Sequence, residues 1–139
     1  MNASHIAHIG IAVRSIEATL PLYRDGLGLE YVETVEMSER GIRIAFIRAG
    51  ASLIELIEPL HEESEVSGFL EKRGEGIHHI CFGVPDIKET IAHLKEHGVR
   101  MVNEEPSIGA EGLPVAFLHP RSAFGVLMEV IEESPHPAS

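Results

Sequence analysis

His8-Ile9-Gly10-Ile11-Ala12-Val13 returns as His79-Ile80-Cys81-Phe82-Gly83-Val84, about 71 residues further along the chain. The same offset carries Ile44-Ala45-Phe46-Ile47 onto Val115-Ala116-Phe117-Leu118. Near the end of each half, Leu53-Ile54-Glu55-Leu56-Ile57-Glu58 matches Leu127-Met128-Glu129-Val130-Ile131-Glu132, at an offset of about 74. The slip has a visible source, a longer turn at 119–125 where the first half has 48–52. Two copies are too few for a solenoid. They fit two modules related by a pseudo-twofold axis.

Each half reads as βαβββ. In the first, 8–13 is a short apolar strand. Ser15 is placed to cap a helix, with Ile16, Leu20 and Tyr23 at helical spacing. Pro21 inside that helix predicts a kink or a loosened turn. Strands follow at 30–37, 42–48 and 52–57. In the second half, 79–84 is the strand, and Asp86 with Glu89 forms a capping-box pattern. Ile87, Ile91 and Leu94 make the buried stripe, and strands are expected near 99–103, 114–118 and 125–131. Ser64 is placed to cap a linker helix, and 132–139 reads as a frayed tail. The expected fold is α+β: one domain over 1–139, with module one at about 4–60, a linker helix at about 64–76 and module two at about 77–133.

The 139 residues fit a single domain, and 44% hydrophobic content is enough to bury a core. The longest apolar runs are a few residues, as at 44–47, whereas a spanning helix needs about 20. No basic segment followed by an apolar run opens the chain, so no signal peptide is expected. A lone Cys81 suits a reducing compartment, and a cytoplasmic protein is expected. Acids outnumber bases 22 to 11, for a net charge of −11, and Trp is absent. That excludes the basic, aromatic footprint of a nucleic-acid binder. It leaves room for a small anionic ligand at a local positive patch.

The repeat places one His at the start of each module and one Glu on its last strand: His8, Glu55, His79 and Glu129. Imidazole and carboxylate are ordinary ligands for divalent transition metals. Any one of them alone is more often a hydrogen-bonded or solvent-facing strand residue. Four ligand types at matching repeat positions point to a shared site, with two positions of an octahedral ion left open for chemistry. His78 falls on the opposite strand face, and the repeat aligns it with Ala7. His5, His61, His93, His97, His119 and His136 have no repeat partner and read as surface or turn residues. Glu58 and Glu132 match each other but lie on the face opposite Glu55 and Glu129, and read as solvated. The loop Ser107-Ile108-Gly109-Ala110-Glu111-Gly112 reads as a turn or as backbone approaching a ligand.

HIGIAV, LYRDGLGL, IELIEPL, GEGIHHICFGV, NEEPSIGAEGLPVAFLHP and GVLMEVIE resemble the methylmalonyl-CoA epimerase family of the vicinal oxygen chelate superfamily. The resemblance runs from about residue 4 to 133. HIGIAV alone is a superfamily signal, whereas the EEPSIGAEG loop with FLHP and GVLMEV is specific to the epimerases. The resemblance implies that the two modules form a curled mixed sheet around a metal site, in a homodimer, with an acyl-CoA substrate and one divalent cobalt, zinc, nickel or manganese ion per chain. It places the ligands at His8, Glu55, His79 and Glu129, the four that the repeat selects independently.

The implied reaction interconverts the 2R and 2S forms of methylmalonyl-CoA through an enolate. Some relatives carry a proton-transferring Glu where this chain has Ile44, and those tend to have Gln at the position of Glu55. Glu55 and Glu129 are therefore the expected catalytic pair, with Glu111 as a lesser alternative. A glyoxalase I-type isomerase, which uses a similar ligand set, is the alternative function. An iron dioxygenase usually needs only three protein ligands, and a metal-free drug-sequestering relative needs none.

Overall fold

A parallel pair of strands cannot be closed by a hairpin and needs a long crossover. Each half of the chain is built around one such pair. The computed structural model describes residues 2–133. Contacts divide the chain into two units: 8–78, and 79 onward together with the residues up to Ala7.

In the first unit the strand order is β2-β3-β4-β1. β1 (His5–Ala12) runs parallel to β4 (Ser52–Pro59), with Gly10 opposite Glu55. β2 (Glu30–Met37) and β3 (Ile42–Ala49) pair antiparallel, and β3 pairs antiparallel with β4. The crossover begins with α1 (Ile16–Pro21), where Ser15 Oγ accepts from Ala18 N at 3.1 Å. Pro21 has no N–H to donate, and the helix widens there into a π-helical turn, Leu22–Gly26. The Leu27 N to Leu22 O bond of 2.9 Å closes that turn. α1 packs Ile16 against Val13, Ala45, Ile47 and Leu56, so the odd positions of β1 and β3 and the even positions of β4 face the helix. α2 (Glu65–Arg73) starts at Ser64, whose Oγ accepts from Val66 N. Its C-terminal end is tied back to this unit: Arg14 Nη2 donates to Leu70 O, and Arg14 N to Glu75 Oε2 at 2.8 Å.

The second unit has the order β5-β8-β7-β6. β5 (Gly76–Val84) is parallel to β8 (Met128–Glu132), with Cys81 opposite Glu129. β7 (Pro114–Leu118) pairs antiparallel with β8 and with the short β6 (Ser107–Ile108). α3 (Ile87–Glu96) begins at Asp86, whose Oδ1 accepts from Glu89 N at 3.0 Å. It buries Ile87 and Ile91 against Val84, Ala116, Leu118 and Val130. The other sheet face packs Cys81, Val115 and Ile131 with Ala7 from the N-terminal segment.

Several expectations are corrected. The strand at 99–103 reduces to one bridge, Met101 to Leu118. Asn103 Oδ1 takes the Phe117 N–H at 2.9 Å, a side chain standing in for the ladder, and Pro106 follows close behind. The neighbour of β7 is instead β6, inside the stretch read as a loop. β8 starts three residues late because Phe124 and Gly125 both adopt positive φ. Glu58 and Glu132 are not solvated. Glu58 Oε1 accepts from Ile16 N at 2.7 Å, and Glu132 Oε1 accepts from Ile87 N at 3.0 Å. Each thus covers the first turn of its module's helix, where orphan N–H groups and the helix dipole favour an anion. Glu132 and Glu133, read as the start of a frayed tail, are placed: Glu132 ends β8 and Glu133 pairs with His5. Residues 134–139, His136 among them, lie outside the described residues.

Replacing Glu132 by Ala should cost about 1–2 kcal/mol in urea unfolding, through loss of a charge-assisted helix cap. Glu132→Gln keeps an acceptor oxygen and should lose less than half as much.

Candidate functional site

Strand parity places the polar residues before any distance is considered. In the first unit, Ile54 and Leu56 face α1, so Glu55 projects from the opposite face. His8 lies on that same face of β1. In the second unit, Val130 faces α3, so Glu129 and His79 share the far face.

The pairs then meet. His8 Nδ1 lies 3.1 Å from Glu55 Oε2, with side chains 4% and 5% exposed. His79 Nε2 lies 3.2 Å from Glu129 Oε1, with side chains 6% and 7% exposed. Phe117, the cross-strand partner of Glu129, stands edge-on to the His79 ring at 5.9 Å and limits its rotation. Each unit therefore holds one buried imidazole–carboxylate pair at the same place in its module.

Burying an ionised carboxylate costs several kcal/mol, and a buried ion pair is often no better for stability than apolar residues of the same volume. Two such pairs, at repeat-related positions on otherwise apolar strands, are poor economy for a structure and good economy for a site. The donor chemistry suits a borderline divalent ion. Nitrogen and oxygen ligands each about 2.0–2.2 Å from one ion, at right angles, stand about 3 Å apart. The observed spacings within each pair match that figure.

The other sequence candidates fall as follows. Ile44 is buried and shares the Glu55 face, where it moves no proton. Glu111 occupies an exposed position in the turn between β6 and β7. His78 turns away and packs edge-on to Phe69 at 4.9 Å. His61, His93 and His97 are exposed, while His119 is half-buried in its turn. His5, expected at the surface, is instead mostly buried against Glu133. A Cβ on Gly83 would come within 2.6 Å of His5 and 2.7 Å of Glu133, which accounts for Gly where the first module has Ala12. Sequence reasoning missed the anchoring role of Glu58 and Glu132, although their repeat match was the signal.

Residues 7–117 match the model of the Glyoxalase/Bleomycin resistance protein/Dioxygenase superfamily. An ethylmalonyl-CoA/methylmalonyl-CoA epimerase of Cereibacter sphaeroides is 44% identical over 125 residues, covering 88% of this chain and 93% of that one. A methylmalonyl-CoA epimerase solved in complex with methylmalonyl-CoA and ammonium superposes with a TM-score of 0.89 at 39% identity, over 96% of this chain and 100% of that one. A variant of the Streptomyces coelicolor epimerase, bound to 2-nitronate-propionyl-CoA, gives 0.89 at 38% identity over 99% of both chains. The chain belongs to the glyoxalase/bleomycin resistance/dioxygenase superfamily and, within it, to the methylmalonyl-CoA epimerase family. Among its described residues no helix is long and apolar enough to cross a membrane.

Replacing both partners, His79→Leu with Glu129→Leu, should leave the metal-free protein at least as stable as the metal-free wild type in thermal unfolding, because a buried polar pair gives way to apolar side chains. A melting temperature lowered by several degrees would mean that the pair is structural.

Proposed function

We propose that the protein interconverts the 2R and 2S forms of methylmalonyl-CoA by moving the α-proton. The observation that carries this reading is the repeated buried pair, His8 with Glu55 and His79 with Glu129. Family membership supplies the substrate class: relatives at 38–44% identity carry the epimerase name.

His8, Glu55, His79 and Glu129 together are the residues that would hold one divalent ion, with cobalt, zinc, nickel and manganese all suited to two nitrogens and two carboxylates. A divalent ion bound there supplies Lewis-acid polarisation of the thioester and carboxylate oxygens of the substrate. The α-hydrogen lies between those two electron-withdrawing groups and is acidic for that reason. The relative that binds a nitronate supports an enolate route, since a nitronate is planar and anionic at the carbon that corresponds to the reacting centre.

Inversion needs a base on one face of that carbon and an acid on the other. Glu55 and Glu129 are the assigned pair. One carboxylate takes the α-proton while the other, protonated, returns a proton to the opposite face. The two exchange protonation states with each turnover, and the reverse reaction uses them in reversed roles.

Proton NMR of methylmalonyl-CoA in D₂O with metal-loaded protein should show rapid loss of the α-hydrogen signal, abolished by a chelator. Glu55→Gln should slow epimerisation by at least about a hundredfold while metal content is retained. Unchanged epimerisation in that variant would remove Glu55 from the proton-transfer pair. Turnover of a hemithioacetal, with no exchange on methylmalonyl-CoA, would move the assignment to the glyoxalase-type reaction.

A further inference from the structure

The end of α3 carries two histidines that the proposed reaction does not use. Ile87, Ile91 and Leu94 face the core, while His93 and His97, four residues apart, are exposed. Their ring centroids are 4.4 Å apart and their planes are tilted by 46°. The backbone beneath them is fixed. Val99 N donates to Leu94 O and Gly98 N to Lys95 O, each at 3.0 Å, and Gly98 takes φ +81°. That is the double closure of a helix ending in a left-handed glycine, and Leu94 and Val99 both pack on the core beside it.

His97 Nδ1 lies 2.9 Å from His93 O. A carbonyl only accepts, so Nδ1 carries the proton, and the neutral ring keeps a bare lone pair on Nε2. An N–H given to a backbone carbonyl is how metal-binding imidazoles are held in one tautomer and one orientation. A histidine that merely caps a helix makes this same bond to the last carbonyls. Capping accounts for His97 alone. It gives no part to the His93 ring, which stands beside His97 and brings a second nitrogen donor to the same spot.

Two imidazoles at i and i+4 are the spacing by which one helix face presents two nitrogens to one zinc. Bound nitrogens lie about 2.0–2.1 Å from the ion, hence about 3 Å from each other at right angles. Exposed rings with centroids 4.4 Å apart reach that arrangement by small side-chain rotations. The pair also stands at the C-terminal end of the helix, where the macrodipole favours a cation. Lys95, the nearest cation in sequence, is paired with Glu104 at 3.1 Å.

We propose that His93 and His97 form a second metal site, a surface chelate for zinc, nickel or copper(II), separate from the four buried ligands. Two neutral nitrogens select these ions over magnesium and calcium, which take oxygen ligands. Water fills the remaining positions, so the ion exchanges with solvent and takes no part in proton transfer.

Calorimetric titration of zinc chloride into untagged, chelator-stripped protein tests the site. Wild type should bind one zinc more per chain than the His93→Gln, His97→Gln double variant. Either single substitution should weaken that extra zinc about a hundredfold, the loss expected when a chelate becomes a single ligand. Magnesium chloride should show no such difference between wild type and double variant. Nitrogen-15 NMR of the wild-type imidazoles should show His97 as the Nδ1–H tautomer before zinc, with Nε2 of His97 and a ring nitrogen of His93 shifting as zinc is added. α-Proton exchange on methylmalonyl-CoA should be the same in the double variant as in wild type. Equal zinc stoichiometry and affinity in wild type and double variant would overturn the proposal. So would ring nitrogens of His93 and His97 that stay unmoved at saturating zinc, a readout on the wild-type chain that holds whether or not the variant folds.

Discussion

The parallel pairing of the first and last strands of each module is the constraint on which the rest depends. Because those two strands run the same way, the chain between them must leave the sheet, cross over and return. That crossover accounts for the helix of each module and for its two antiparallel strands. The same pairing sets the His on the opening strand beside the Glu on the closing one. Gly10 opposite Glu55, and Cys81 opposite Glu129, fix the register that does so. A slip of one residue would turn both carboxylates toward the helices.

The closing strand carries two acids three residues apart, and its period of two sends them to opposite faces. On one face the carboxylate meets an imidazole in an apolar setting. On the other it meets the free N–H groups of a helix start. In the first module Glu58 also accepts from Arg43 Nη1 at 2.9 Å, and the guanidinium's hydrogen bonds to Glu36, with the nearby Glu58 charge, hold it above its usual pKa despite some desolvation. The strand that bears the proposed proton-transfer carboxylate is thus pinned to its own helix from behind. Such a pin restrains the sliding of strand against helix that would misplace Glu55 or Glu129.

Most of this was legible because it is written twice. The repeat exposed the βαβββ order, the two His–Glu pairs and the caps at Ser15 and Asp86. Period and parity are local properties, and both modules obey them. What escaped was set by tertiary contact. Glu58 and Glu132 look like ordinary solvated acids until the helix start is folded onto them. Asn103 has no strand-breaking signature, yet its side chain occupies the Phe117 N–H and ends the expected strand. The positive φ of Phe124, a residue that avoids that region, shortened β8 against every local propensity. His5 and Gly83 explain each other only once both are placed.

The N-terminal segment has an effect beyond its length. Ser4 N donates to Gly83 O at 2.9 Å, His5 pairs with Glu133, and Ala7 fills the core around Cys81. The opening residues of β1 therefore belong to the second copy of the repeat, while the strand's remainder serves the first. The two copies are sewn through one another, so the linker helix marks a boundary in sequence and not a line along which the protein can be cut. The asymmetry is one-sided: the first half, excised at the linker, keeps its own core cluster, whereas the second loses Ala7 from its own.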